Sequence, residues 1–223
     1  MAKKFFTIRQ AARFLKVTNS IIKEMITAGT FRTVKKGSTT KIPRKDIDEW
    51  LANLSEQETQ ELAMHKAMNR FGDYFNSRYI HLDFKAENKF EAIAAMSKKA
   101  KSLKLVSDHR WLYKVVIARE ELVSTAVGKG VALLHPRHPH PKKVKKPSII
   151  FGRSIKKIEF DALDKKPVDL YFLLLLHNDA QHLFSISYIT KFMMKDENLK
   201  KLRDESSKRK IAKMLTKKSF QKP

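Results

Sequence analysis

Residues 119–137 read REELVSTAVGKGVALLHPR. The segment opens on Arg119-Glu120-Glu121 and closes on His135, which follows directly on an apolar run over 130–134. A short apolar run bounded by glycine and proline reads as a buried strand. A strand that runs straight into a histidine presents an imidazole, and a neutral imidazole is a good nucleophile near physiological pH. A second histidine, His182, follows another apolar run, DLYFLLLLHN over 169–178, and stands at the start of a helical pattern. If one imidazole accepts a phosphoryl group, the resulting dianion needs cations and donors around it. Arg119 and a helix N-terminus beside His182 are suitable groups.

Working outward from this segment, strand patterns over 79–84, 148–151 and 169–176 alternate with helical patterns over 88–103, 109–122 and 180–194. In the first of those helices Phe90, Ile93, Ala94 and Ala100 fall on the expected inner face. The chain finishes in one or two basic helices. Strands alternating with helices predict an α/β sandwich, a mixed sheet flanked by helices.

The first fifty residues have a different texture. Thr7-Ile8-Arg9-Gln10 has the form of a capping box, and Ile8, Ala11, Ala12 and Leu15 follow at helical spacing. Thr18-Asn19-Ser20 supplies a second cap before the stripe Ile21, Ile22, Met25 and Ile26, and Gly29 is a natural stop. Extended runs over 31–34 and 39–42 flank Gly37 and predict a hairpin with a basic tip. Pro43 and Arg44 open a last helix carrying Ile47, Trp50 and Leu51 on one face. Ser55-Glu56-Gln57-Glu58 is another capping box, and Met64, Met68, Phe71 and Phe75 repeat behind it at helical spacing. The expected organisation is a module over 1–54, a linker helix over 55–76, the α/β domain over 77–215 and a basic tail over 216–223.

Forty-seven Lys and Arg against twenty-three Asp and Glu give a formal charge of +24. Such an excess points to nucleic acid or another anionic partner. Residues 1–54 alone carry twelve basic and four acidic residues, a net of +8. The chain has no cysteine, which rules out disulfides and thiolate metal sites and fits a cytoplasmic location. The most apolar run, YFLLLL over 171–176, is too short to insert in a membrane. His135, His138 and His140 in HPRHPHP could together ligate zinc. The intervening prolines restrict their convergence, so no metal and no cofactor is expected. The KKVKK run at 142–146 reads as a solvated loop, while the tail from Lys195 is either a solvated helix face or a second patch for DNA.

Two resemblances attach to these residues. FTIRQAARFLKVTNSIIKEMITAGTFRTVKKGSTTKIPRKDIDEWL resembles the winged helix-turn-helix of the excisionase/MerR group, which implies duplex DNA as partner. By that resemblance Asn19, Ser20 and Lys23 of the second helix enter a major groove. Arg32, Lys35, Lys36, Lys41 and Arg44 meet the DNA around the wing. Glu24 departs from the group, which more often has a basic residue there. MerR-type relatives dimerise through a helix after the module, so the linker helix is either a homodimer contact or packs on its own C-terminal domain.

REELVSTAVGKGVALLHPR, with HLFSISYITKFM at 182–193, resembles the type-2 EIIA domain of the sugar phosphotransferase system. The resemblance implies that His135 accepts phosphoryl from the phosphocarrier HPr and that His182 orients it. Arg119 then neutralises the phosphate, and Ser124 and Thr125 line the approach. The family usually carries proline before its acceptor; here that residue is Leu134, with Pro136 after the histidine. The reading that joins both halves is a bacterial regulator that binds DNA and senses phosphotransferase status. Two others stay open: a phosphocarrier whose N-terminal module only docks partners, and a DNA-binding protein whose EIIA-like domain is a phosphorylation-dead scaffold.

Overall fold

The computed structural model describes residues 4–37 and 39–216, with Lys36 by its backbone alone. All of the expected 216–223 tail beyond Thr216 lies outside the described residues. Contacts divide the chain into two units, Met1–Arg70 and Phe71–Pro223.

The first unit contains β1 (Phe5–Thr7), α1 (Ile8–Leu15), α2 (Asn19–Thr27), β2 (Val34–Lys36), β3 (Thr39–Pro43), α3 (Arg44–Ala52) and α4 (Glu56–Arg70). Thr7 and Gln10 form the reciprocal cap at the start of α1, and Lys16 closes that helix in the left-handed region at φ 60°. The Thr18 hydroxyl accepts from the Ile21 N–H to start α2. Ala11, Ala12, Leu15, Ile22, Phe31, Ile42 and Ile47 share one core with Leu62 of α4. The hairpin β2–β3 is joined by β1 in the antiparallel order β1-β3-β2. The extended run expected over 31–34 begins only at Val34. Phe31 instead turns into the core, edge-on to Trp50 at 5.4 Å between ring centroids.

The linker differs from the single helix expected over 55–76. Ser55 and Glu58 cap α4 reciprocally, but the α-helix ends at Arg70 and Phe71–Tyr74 form a 3-10 turn around Gly72. Phe71 and Phe75 enter the core of the second unit, whereas Met64 is among the exposed large hydrophobics. The Met64, Met68, Phe71, Phe75 spacing is therefore not one continuous helical face. Gly72 has little helical preference, and burial of two phenylalanines outweighs continuation of the helix.

The second unit contains β4 (Ile80–Phe84), α5 (Lys89–Ser102), α6 (His109–Glu120), β5 (Ala126–Gly128), β6 (Val131–Leu134), β7 (Ser148–Ile158), β8 (Val168–Leu175), α7 (Asp179–Met193), α8 (Asp196–Asp204) and α9 (Lys208–Leu215). Five strands form a mixed sheet in the order β4-β7-β8-β6-β5, with β4/β7 and β6/β8 parallel and the other two pairs antiparallel. All eight residues of β8 are buried, and they alternate between two cores. Tyr171, Leu173 and Leu175 join α5 and α6 on one face; Leu170, Phe172 and Leu174 join α7, α8 and α9 on the other. Helices on both faces are why this strand reads as an unbroken apolar run instead of alternating with polar residues. Phe90 corrects the expected inner face of α5: it is 43% exposed beneath Lys89, and Ala92, Ile93 and Met96 make the inward stripe.

Gly130 shows how closely the strand ends are fitted. Its φ is +78°, and a Cβ there would fall 2.7 Å from Nη2 of Arg203 and 3.1 Å from the Pro167 carbonyl. Arg203 in turn holds Asp169 through two bonds of 2.8 Å and the Lys129 carbonyl through a third. Gly130→Ala is expected to cost about 1–3 kcal/mol, from positive-φ strain plus displacement of Arg203. A urea midpoint equal to that of the native chain would show that neither constraint operates.

Candidate active site

Leu134, the last residue of β6, lies opposite Leu173 of the parallel strand β8. Both strands therefore deliver their C-terminal ends to the same edge of the sheet. The chain leaves β6 into His135. It leaves β8 into His177 and Asn178, whose side chain accepts from the Gln181 N–H and starts α7. The first turn of α7 carries His182 to His135, with ring centroids 4.4 Å apart and planes 62° apart. His135 and His182 are forty-seven residues apart in sequence, and this strand-turn-helix path is what pairs the second histidine with the first.

His135 is 8% exposed. Its Nδ1 lies 2.8 Å from the Pro136 carbonyl oxygen. A carbonyl can only accept, so Nδ1 carries the proton and Nε2 keeps the lone pair. Burial pushes the His135 imidazole down to about 4; the Pro136 bond opposes this, and His182 and Arg119 add to it. His182 is also lowered by burial, against the pull of Asp179 and with the push of Arg119. Both rings are neutral at neutral pH, which leaves a nucleophilic nitrogen at His135.

Arg119, in the last turn of α6, donates from Nη1 to the Val123 carbonyl at 2.8 Å, and its charge reaches both histidines. Ser124 and Thr125 stand close by, but their hydroxyls are engaged. Ser124 donates to the Phe160 carbonyl and accepts from the Ala126 N–H. Thr125 donates its N–H and hydroxyl to one carboxylate oxygen of the buried Glu120. The other Glu120 oxygen is buried with no partner. Glu120 and the Pro136 carbonyl are the two groups that sequence reasoning did not assign to the site. The first was visible as a carboxylate at a helix end; the second is backbone and left no residue-type signal.

The other histidines disperse. His138 is exposed; His140 sets its ring edge-on to Trp111 at 5.1 Å; His177 Nε2 bonds the Val144 carbonyl at 2.8 Å. The run expected as a solvated loop at 142–146 is tied down. Val144 is buried and bridges Val106, while the Lys143 and Lys146 ammonium groups lie over Trp111 and Tyr79. The concavity beside His182, lined by Pro136, His138 and Leu175 among others, holds about 10 Å³. That is room for about one water. The residues flanking the site in sequence are instead apolar and exposed, with Leu122 at 57%, Val123 at 68% and Leu183 at 60%. Such a rim suits a macromolecular surface better than a small substrate.

In the first unit, Asn19, Ser20 and Lys23 are exposed on α2, and Lys35 is exposed on β2. Lys41 is half-buried on β3, and the side chain of Lys36 lies outside the described residues. Glu24 accepts from the Ser20 hydroxyl at 3.1 Å. Arg32 is already engaged: it grips Asp46 with two bonds of 3.1 and 3.0 Å, which hold that carboxyl below its usual range. Arg44 likewise bonds Asp48 at 3.1 Å and lies over Phe14. The Arg32 side chain stays 80% exposed beside this pair, and that of Arg44 35%.

Comparison with known proteins matches residues 73–218 to the family "Phosphoenolpyruvate-dependent sugar phosphotransferase system, EIIA 2" and residues 5–55 to a helix-turn-helix domain. A nitrogen regulatory protein of Bradyrhizobium diazoefficiens is 36% identical over 53% of this chain and 76% of its own length. A fructose-specific EIIA component of Haloferax volcanii is 32% identical over 49% and 71% respectively. The crystal structure of the nitrogen regulatory protein IIA-Ntr from Neisseria meningitidis superposes with a TM-score of 0.60 at 28% identity, covering 66% of this chain and 99% of that one.

The low value at His135 makes stability depend on pH. Unfolded, the ring titrates near 6.5, at about the ordinary histidine value. Between that value and about 4 the unfolded chain binds a proton that the folded chain refuses, so stability falls as pH falls through this window. His81, also pushed to about 4 by burial, adds in the same direction. The expected loss from His135 between pH 7.5 and 5 is about 2 kcal/mol. In His135→Gln, urea denaturation at the two pH values should show a decline smaller by that amount. An undiminished decline would mean that the ring titrates as freely in the fold as out of it.

Proposed function

The chain belongs to the type-2 EIIA family of the phosphoenolpyruvate-dependent sugar phosphotransferase system, joined here to a helix-turn-helix domain, and from that premise we propose that it is a DNA-binding regulator whose state is written as a phosphoryl group on His135. The observation that carries this reading is the Nδ1 bond to the Pro136 carbonyl, which leaves Nε2 as a neutral, oriented nucleophile. Family membership implies phosphotransfer partners such as HPr or EIIB. HPr is the proposed donor.

In the proposed step the Nε2 lone pair attacks phosphorus of the donor's phosphohistidine. The Nε2–P bond forms as the donor's N–P bond breaks, and that electron pair returns to the donor imidazole. Nδ1 of His135 keeps its proton throughout and stays on Pro136. Arg119 and the amino end of α7 offset the added charge, about −1.5 to −2 for a phosphoryl group at pH 7. His182 packs against the acceptor ring and fixes its plane. Ser124 and Thr125 shape the wall beside the acceptor through Phe160 and Glu120 without offering free hydroxyls. The exposed Leu122, Val123 and Leu183 receive the donor protein. Leu134 in place of the family's usual proline is accommodated as a paired residue of β6, so the acceptor's position does not depend on proline at that point.

For the other half, α2 is proposed to enter the major groove with Asn19, Ser20 and Lys23, while Lys35 and Lys41 of the wing meet phosphates. Arg32 and Arg44 are paired with Asp46 and Asp48. A regulatory rather than transport role is supported by the nitrogen regulatory proteins among the relatives. The proposed boundaries place the DNA module before Ser55 and the phosphoryl domain from about the 3-10 turn at Phe71.

Incubation with enzyme I, HPr and phosphoenolpyruvate should add about 80 Da, one acid-labile phosphoryl group. The gain should disappear in His135→Ala and should slow by tenfold or more in His182→Ala. A label that survives in His135→Ala would move the acceptor elsewhere. Duplex DNA should bind with an affinity that falls steeply as salt rises. Lys35→Ala should weaken all duplexes alike, whereas Asn19→Ala should narrow the gap between best and worst sequences. Failure of the intact chain to retain any genomic duplex at low salt would leave the phosphocarrier reading in its place.

A further inference from the structure

The histidines occupy one end of β6 and β8. The opposite end holds a cleft of about 500 Å³ with Gly130 and Pro167, the residues that lead into the two strands, on its wall. Volume in this range is typical of a small-ligand site. Five cations line the cleft, Lys129, Lys157, Lys166, Lys200 and Arg203, against two carboxylates, Asp196 and Asp204.

The cations divide into two groups. Lys129 is neutralised, bonding Asp196 at 2.8 Å and the Met194 carbonyl at 3.1 Å. Arg203 is neutralised by Asp169. Lys157, Lys166 and Lys200 make no ion pair among the described residues; Lys166 reaches Asp164 and Asp196 only at longer range. Three ammonium groups are thus brought from the end of β7, the turn before β8 and α8 to one concavity, where Lys129 takes up Asp196 and Asp204 remains as the one lining carboxylate with no ion pair among the described residues. One carboxylate against three ammonium groups leaves the concavity positive, and a multivalent anion seated among them would offset the remaining repulsion. Gly130 leaves that wall free of side chain, since a Cβ there would strike the Arg203 guanidinium. The phosphoryl domain as a whole supports the same sign. Residues 71–223 carry 33 Lys and Arg against 16 Asp and Glu, a net of +17, more than the 1–54 module.

We propose that this cleft binds a small polyphosphate anion, of the class of a nucleoside di- or triphosphate, at a site separate from the histidine pair. Lysines bind phosphate as point charges and need no fixed fork geometry, which suits an anion held between three flexible arms. The carboxylates of Asp196 and Asp204 interrupt the basic surface. A compact anion can be held by the lysines without crossing them, whereas an extended polyanion would cross them. β6 spans four residues, so the cleft and His135 stand about 15 Å apart. That exceeds the Debye length of about 8 Å at physiological salt, so the bound anion does not occupy or screen the acceptor.

Calorimetric titration of the full chain at about 0.15 M salt tests this. The probes are inorganic phosphate, pyrophosphate, ATP, GTP and a short DNA duplex. Pyrophosphate and the nucleotides should bind with Kd of about 10–100 μM, and inorganic phosphate at least tenfold more weakly. The double substitution Lys166→Ala with Lys200→Ala should weaken pyrophosphate and nucleotide binding at least tenfold. Lys157→Gln alone, which removes one charge from an exposed position, should weaken it severalfold. His135→Ala and Lys35→Ala should leave it unchanged, which separates the cleft from the acceptor and from the DNA module. The proposal is overturned if neither pyrophosphate nor nucleotide binds at about 1 mM. It is equally overturned if the lysine variants bind as the native chain does, or if they lose duplex affinity while polyphosphate binding is retained.

Discussion

The parallel pairing of β6 with β8 is the constraint on which the second domain depends. Its register sets Leu134 beside Leu173, and everything that follows the two strands starts from that edge. His135 is the next residue after β6. The Asn178 cap and α7 follow β8 and bring His182 within 4.4 Å of it. A slip of one residue in β8 would exchange the Tyr171, Leu173, Leu175 face for the Leu170, Phe172, Leu174 face. Both faces are buried, so the slip would force two fitted cores to exchange side chains of different shape. The site inherits its precision from this double burial.

The same burial sets the chemistry. An imidazole in water, titrating near 6.5, is about one-quarter protonated at pH 7, and that share is lost as a nucleophile. Enclosing His135 disfavours the charged ring and holds it neutral, and the Pro136 carbonyl then decides which nitrogen keeps the hydrogen. Stability at low pH is given up in return, because the unfolded chain accepts a proton that the folded one excludes. Arg119 sits where it opposes protonation of the free rings and would favour a phosphoryl dianion. One cation thus works in the same direction before and after transfer.

Charge is distributed less simply than function. The module that resembles DNA readers carries part of the excess, and two of its arginines are paired with Asp46 and Asp48, Arg32 while keeping 80% of its side chain exposed. The larger share lies in the phosphoryl domain, and at the cleft beside Gly130 it is gathered in a concavity instead of being spread over helix faces.

By itself the sequence determined the elements whose signals are local. The Thr7–Gln10 and Ser55–Glu58 caps, the Gly29 stop, the apolar run of β8 and the Arg119, His135, His182 spacing were all legible, because capping, positive φ and burial on two faces each leave a mark within a few residues. Tertiary structure decided what depends on distant partners. β1 is three residues long and exists as a strand because β3 lies beside it. β5 needs β6 in the same way. Phe90 stayed outside although its spacing fitted, since the inner face of α5 is set by where the sheet lies. The helix after Ser55 broke at Gly72 because the second core claimed Phe71 and Phe75. The tautomer of His135 was fixed by a backbone carbonyl, and the engagement of Arg32 by Asp46 fourteen residues away. In each case the deciding energy comes from a partner that no short window of sequence contains.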